Sequence, residues 1–130
     1  MPDRHREFAE RAYAALNRRD IVAFLDMVDE DVEFRSLIAE AEGETFHGHE
    51  GVRSWWRQVA QSLGGLGFEL QEYQEEGETA VTRIRVRGSV EATGIEQTMW
   101  QAIEIRDEQV VWWGTFRTGE EAWAAVRERG

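Results

Sequence analysis

The chain has 130 residues, 42% of them hydrophobic and 11% aromatic, which is enough for one folded domain with its own core. Acidic residues outnumber basic residues by 26 to 15, and the net charge of −11 argues against nucleic acids and anionic membrane surfaces as partners. Cysteine and lysine are absent, which excludes disulfides, thiolate chemistry and Schiff bases.

Membrane and secretory targeting features are also missing from the sequence. No apolar run approaches the roughly 20 residues of a transmembrane helix. The start of the chain lacks the apolar region of a secretory signal. We therefore expect a single cytoplasmic domain that covers residues 1–130.

Helical and strand patterns alternate in the first half of the chain. Apolar residues at helical spacing predict helices over 3–16 and 21–27, and Asp20 is well placed to cap the second helix. A polar loop over 39–44 then separates two strands, and the segment GHEG bends the chain into a third helix. The predicted bounds of these later elements are 32–38 and 45–47 for the strands and 52–63 for the helix.

The second half of the chain predicts a curved sheet. A strand over 68–76 leads into residues 79–117, where alternating residues form three long runs typical of an antiparallel meander. A glycine-rich loop over 88–94 and a tight turn at Asp107-Glu108 are predicted to separate these runs. Strands of this length twist and curl, so we expect a concave side filled by helices and a small pocket. The segment TGEE is a capping box that begins a last helix, ending at Glu128.

The order of these elements resembles the NTF2-like α+β cone and, more narrowly, its SnoaL-like branch. The resemblance covers nearly the whole chain and is carried by the segments YAALNRRDI (13–21), DEDVEFR (29–35), FHGHEGVRSWW (46–56), AVTRIRVRG (80–88) after the Gly77-Glu78 hairpin, and TFRTGEEAWAAV (115–126). It implies a curved mixed or antiparallel sheet wrapped on three helices from the N-terminal side, plus a short C-terminal helix. None of these segments is a catalytic fingerprint, so the resemblance concerns the fold more than the chemistry.

Ketosteroid isomerase belongs to the same superfamily and uses an Asp base with an oxyanion hole of Tyr and protonated Asp. The resemblance puts the base position near Ser36, the protonated Asp near Gln101, and the Tyr position within one residue of Tyr13. Two of the three groups are changed, and a serine cannot act as a base unassisted. Isomerisation by that mechanism is therefore not expected, and no carboxylate of the kind that SnoaL-type cyclases use is evident in the cone.

Strand alternation separates inward from outward residues. If Gln101 faces the cone, then Gln97, Met99 and Ile103 face it too. The arginine ladder, which we define as Arg83, Arg85 and Arg87, should then face outward, because burying unpaired guanidinium groups is costly. We expect Glu96 and Glu104 opposite this ladder. A solvated, salt-bridged face or a dimer surface is the main interpretation, and an anionic-ligand site is the alternative.

Two histidines form an H-x-H pair, His47 and His49. A metal site is not expected, because Gly48 and the helix start should send the rings in different directions and no third ligand is evident. His47 is either an acid or base at the pocket or a structural hydrogen-bonding group. His49 is expected to serve the entry into the third helix.

The aromatic residues include six tryptophans. Trp55 and Trp56 are adjacent on a helix and diverge by about 100°, so one should face the pocket. Trp113 should look into the cone from its strand, either as core filling or as a pocket wall. Trp112 and Trp100 should then share the convex face, which is too apolar for a monomer surface, and with Arg85 they predict a homodimer.

Two functional hypotheses remain. The first is a protein that binds a small apolar or polycyclic molecule in the cone, as a lyase, isomerase, cyclase or simple binder, with no cofactor or metal. In this hypothesis His47 is the acid or base. The groups that orient polar atoms of the ligand are Tyr13, Ser36, Gln97 and Gln101, and the walls are Trp55, Met99 and Trp113. The second hypothesis is a non-catalytic carrier or association module that acts through the convex sheet face.

Overall fold

The computed structural model of the protein describes residues 5–35, 45–62 and 64–129. Ser36, the predicted loop 39–44 and the predicted end of the first strand lie outside the described residues. The elements are α1 (Arg6–Asn17), α2 (Ile21–Asp26), β1 (Val28–Arg35), β2 (Thr45–His47), α3 (Gly48–Ser62), β3 (Gly64–Glu76), β4 (Thr79–Val90), β5 (Thr93–Arg106), β6 (Gln109–Phe116) and α4 (Gly119–Arg129).

The strands form one curved, open sheet in the order β2-β1-β6-β5-β4-β3. The pair β1–β6 is parallel, whereas the pairs along β3, β4, β5 and β6 are antiparallel hairpins. The sheet is therefore mixed, and the predicted α+β cone is confirmed. No helix in the described ranges is both long and apolar enough to cross a membrane.

Local signals explain where several elements begin and turn. Asp20 Oδ1 accepts a hydrogen bond from the amide of Ala23 at 3.0 Å, which caps α2 as predicted. Thr118 Oγ1 accepts from the amide of Glu121 at 3.1 Å at the start of α4. Asp107 and Glu108 form the predicted tight turn, with φ values of 51° and 61°. Each signal involves groups close together in the chain, which is why each could be predicted.

The predicted glycine-rich loop over 88–94 is wrong. Strand pairing continues through Gly88 and Gly94 to the pair Val90–Thr93, and the turn consists of Glu91 and Ala92 alone. Both turn residues have positive φ, 49° and 67°, which gives a two-residue hairpin whose twist matches the flanking strands. The glycines are tolerated inside the strands because this end of the hairpin is exposed, with Val90 and Ile95 at 42% and 43% exposure.

The main core lies between the concave side of the sheet and helices α1, α2 and α3. Helix α3 contributes Val52, Trp55 and Val59, each at most 2% exposed. Trp55 is the member of its pair that enters the core, whereas Trp56 packs partly buried at the edge of it. The two residues therefore differ in burial as the helical divergence predicted, although their rings still contact each other at 5.9 Å between centroids.

Helix α4 covers the convex side of the sheet. It packs over a second apolar cluster that includes Trp112 and Phe116, and Trp112 is only 5% exposed. The helix is held there by Arg129, whose guanidinium lies 4.4 Å from the Trp112 ring centroid and 2.8 Å from Glu104. The expectation that Trp112 would lie uncovered is therefore wrong, because the chain covers this face with its own last helix.

The arginine ladder lies on the outer face, as predicted. Its ion pairs are Arg83–Glu72 at 3.4 Å, Arg85–Glu96 at 3.1 Å and Arg87–Glu69 at 3.1 Å. Glu104 is not one of its partners, since it bonds Arg106 and Arg129 instead.

Candidate functional site

Four polar side chains meet in the interior of the cone, and we call them the polar row. They are Tyr13 from α1, Thr82 from β4, Gln101 from β5 and Thr115 from β6, and none is more than 3% exposed. Strand register creates the row, because Gln101 pairs with Thr82 on one side and with Thr115 on the other. Helix α1 supplies Tyr13, whose hydroxyl contacts Thr82 and Gln101.

Hydrogen bonds connect the whole polar row. The Tyr13 hydroxyl donates to Gln101 Oε1 at 2.5 Å and lies 2.8 Å from Thr82 Oγ1. Because a phenol has a single proton, the Thr82 hydroxyl is the donor in the second bond. Gln101 Nε2 donates to Thr115 Oγ1 at 3.1 Å. The second amide hydrogen of Gln101 has no acceptor among the described residues.

The protonation state of Tyr13 follows from this environment. Burial raises the pKa of the Tyr13 phenol well above its ordinary value, and the hydrogen bond with Thr82 offsets part of that rise. Tyr13 is therefore neutral at physiological pH and acts as a hydrogen-bond donor, not as a base. The Tyr13 hydroxyl already donates its hydrogen bond to Gln101 Oε1. The Gln101 amide cannot act as the acid that the protonated Asp of ketosteroid isomerase provides.

Aromatic rings surround the polar row. Trp113 meets Tyr13 edge-on at 5.7 Å between ring centroids and lies 5.6 Å from Phe24 and 5.9 Å from Phe34. Trp55 closes the group at 4.6 Å from Phe34. The Trp113 side chain is 1% exposed, and its Nε1–H is buried without a hydrogen-bond partner among the described residues. A buried donor of this kind is unusual in a folded protein.

The family of the chain can be stated from its sequence. The model of the SnoaL-like domain matches residues 9–119. The chain belongs to the SnoaL-like domain family. No curated protein has a sequence that matches it.

Solved structures share the fold of this SnoaL-like domain at low sequence identity. TerC, crystallised with polyporic acid, is 23% identical with a TM-score of 0.76, and the match covers 94% of each chain. Bal32a, from a soil-derived mobile gene cassette, is 16% identical with a TM-score of 0.78 and 92% coverage of each chain. A protein of ketosteroid isomerase-like fold from Catenulispora acidiphila, in complex with trimethylamine, is 15% identical with a TM-score of 0.75. That match covers 91% of this chain and 90% of the other.

The structure brings together only some of the residues that were predicted from the sequence to form the site. Tyr13, Trp55, Met99, Gln101 and Trp113 are all buried in the interior of this SnoaL-like domain. Strand alternation places Thr82 and Thr115 on the inward faces of their strands, but their position beside Gln101 depends on the register between strands.

The remaining nominated residues lie elsewhere. Gln97 is exposed near the start of β5 and is not among the residues buried in the cone. His47 is exposed on β2, where Phe46 is the residue that enters the core. His49 Nε2 lies 2.7 Å from the Val28 carbonyl oxygen, which ties the start of α3 to β1. Within the described ranges, no three His, Asp or Glu side chains are grouped so as to hold a metal ion.

Proposed function

We propose that this SnoaL-like domain binds a small, mostly apolar molecule inside the cone. The observation that supports this proposal is the unpartnered Nε1–H of Trp113, buried beside the polar row. Trp113 and Thr115 point to the same side of β6, about 7 Å apart along the strand. Apolar walls with a few fixed polar groups are the usual composition of a small-molecule site.

The free donors indicate which ligand atoms would bind. Trp113 Nε1–H and the second amide hydrogen of Gln101 are both neutral donors, and Tyr13 keeps its proton. Neutral donors in an apolar setting favour a carbonyl or ether oxygen over a charged group. We therefore infer a planar apolar ligand with at least one such oxygen.

We propose binding and not catalysis because the polar row contains no side chain that can act as a base at neutral pH. A lyase, isomerase or cyclase step needs an acid or base within hydrogen-bond reach of the substrate. His47 lies exposed on β2, and Ser36 lies outside the described residues. Gln97, at the exposed end of β5, would contact only the outer part of a ligand.

Polyporic acid is the first probe, because a related fold was crystallised with it. We expect it to raise the melting temperature of the wild-type protein, with a stabilisation of about 2.7 kcal/mol at 100 times the dissociation constant. The shift should disappear in Gln101→Ala and persist in Thr98→Ala, an exposed position on the opposite face of the same strand. Trimethylamine is the contrasting probe, because its protonated form cannot accept from these neutral donors and should not stabilise the protein. A protein that polyporic acid does not stabilise, or that trimethylamine stabilises as strongly, would contradict the proposal.

Association through the convex face is the second candidate function. Trp100 is only half-buried there, with the Arg83 guanidinium 5.9 Å from its ring centroid, and Arg85 is 33% exposed nearby. Because α4 already covers Trp112, any homodimer contact would centre on Trp100. We expect Trp100→Glu to convert a dimer to monomers in sedimentation velocity, with Val22→Glu, an exposed position on α2, as the control away from this face. An unchanged oligomeric state in Trp100→Glu would reject this interface.

A further inference from the structure

An open cleft of about 470 Å³ lies at the sheet edge formed by β3, where the end of α1 meets β3 and β4. Three arginines line it: Arg19 from the turn after α1, and Arg85 and Arg87 from β4. The glycines of the segment 65–67 leave room at one side, and a side chain at Gly65 would meet no atom within 4 Å. The cleft is separate from the polar row.

The charge of this cleft is opposite to that of the protein as a whole. The chain carries a net charge of −11, yet the cleft lining contains three guanidinium groups and one carboxylate, Glu69. Arg87 pairs with Glu69 at 3.1 Å and with Glu96 at 3.5 Å, and Arg85 pairs with Glu96 at 3.1 Å. Even with Glu96 included, positive groups exceed negative ones by three to two.

The existing ion pairs are weak enough for an incoming anion to replace them. Glu69 and Glu96 have side chains that are 50% and 54% exposed, and Arg87 is 53% exposed. Exposed pairs of this type contribute about 0–1 kcal/mol. The side-chain amide of Gln71 lies 3.0 Å from Arg85 Nη2 and 3.2 Å from Arg85 Nε. Gln71 is therefore a neutral neighbour of this guanidinium and adds no negative charge.

The backbone of Arg19 has a left-handed conformation, which favours glycine over arginine. Its amide bonds the Leu16 carbonyl and the amide of Asp20 bonds the Ala15 carbonyl, which together form a Schellman motif. The residue has a φ of 61°, in the left-handed region that favours glycine and costs other residues about 1–2 kcal/mol. Arg19 also makes no ion pair with the described part of the chain. Its Nη1 donates only to the Asn17 carbonyl, at 3.1 Å.

Asn17 fastens this turn to the sheet. Its Nδ2 donates to the Phe68 carbonyl at 2.8 Å, and its Oδ1 accepts from the Phe68 amide at 2.7 Å. The end of α1 is thereby held against β3, which brings Arg19 to the same cleft as Arg85 and Arg87. The arrangement is held by the Asn17 side chain on the Phe68 backbone and does not depend on the exposed ion pairs.

We propose that this cleft binds a phosphate group, either as inorganic phosphate or as a phosphate monoester. Guanidinium groups donate paired hydrogen bonds that match phosphate oxygens, and a dianion can engage several of them at once. Arg19, which makes no ion pair with the described residues, supplies the excess positive charge, and the anion replaces Glu69 and Glu96 at Arg87. The site is independent of the interior ligand.

The test is a titration of the labelled protein with inorganic phosphate at constant ionic strength, followed by amide chemical shifts. We expect saturable shifts confined to residues 65–69, 85–87 and the turn at Arg19. Arg87→Gln should weaken binding about tenfold, the equivalent of one lost charge-assisted hydrogen bond. Glu69→Gln should strengthen binding, because it removes the competing carboxylate. Phenyl phosphate in a parallel arm shows whether a monoester is preferred to the free ion.

Two variants separate loss of binding from loss of folding. Arg19→Gly should bind phosphate about tenfold more weakly and unfold at no lower temperature, because glycine suits the left-handed turn. Arg83→Gln, on the same strand and face but outside the cleft, should bind like the wild type. The proposal is overturned if chloride produces the same shifts, if Glu69→Gln weakens binding, or if Arg83→Gln weakens it as much as Arg87→Gln.

Discussion

Replacing Trp113 by alanine is expected to lower the free energy of unfolding by about 3–5 kcal/mol, the usual cost of removing a large buried aromatic side chain. The Trp113 ring is 1% exposed and contacts the rings of Tyr13, Phe24 and Phe34, which come from three different elements. Its removal leaves a cavity that these elements can close only by moving toward one another, which would disturb their other contacts. Urea denaturation followed by circular dichroism measures the loss.

Trp123→Ala is the matched control for this prediction. Trp123 is partly buried on α4, packed against the smaller convex cluster. Because less of its surface leaves solvent on folding, its replacement should cost clearly less than that of Trp113. Equal losses in the two variants would show that the interior is not the main source of stability.

The second large effect is expected in the polar row. Gln101→Met should lower the free energy of unfolding by about 1–3 kcal/mol, because it leaves the buried Tyr13 hydroxyl without its acceptor. A variant with all four positions made apolar leaves no such orphan and should be about as stable as the wild type or more stable. Its substitutions are Tyr13→Phe, Thr82→Val, Gln101→Met and Thr115→Val. It should also fail to bind the interior ligand.

The pH dependence of stability provides an independent control. Burial places the folded-state pKa of Tyr13 above its unfolded value of about 10. The folded state therefore holds this proton more tightly, so the stability it confers is complete below that pH and declines as the pH rises above it. The fully apolar variant lacks the phenol and should lack this part of the decline. If it is instead far less stable than the wild type at neutral pH, the polar row is a stabilising feature and its retention needs no ligand.

If the fully apolar variant is as stable as the wild type but does not bind the ligand, the polar row serves binding and not folding. A buried hydrogen-bonded network contributes little net stability compared with apolar packing of the same volume. An interior that keeps four polar groups where apolar ones would serve indicates a use for them. The binding proposal for the cone depends on this comparison.

Several features followed from the sequence alone because they depend on neighbouring residues. Asp20 and Thr118 cap helices through amides three residues away, which short segments reveal. Side chains alternate along a strand, so the inward direction of Met99 and Gln101 and the outward direction of the arginine ladder were also predictable. The composition excluded cysteine and lysine chemistry outright.

Other features were decided by the tertiary structure, because they join residues far apart in the chain. Tyr13 meets Gln101 across 88 positions, and only the strand register adds Thr82 and Thr115 to them. Trp112 is covered because α4 packs on the convex side of the sheet. The residue pattern of α4 does not by itself indicate on which side the helix packs. The cleft at Arg19 likewise exists only once α1 is fastened to β3. Local propensity determines elements and the faces of strands, whereas packing between elements determines which of those faces meet.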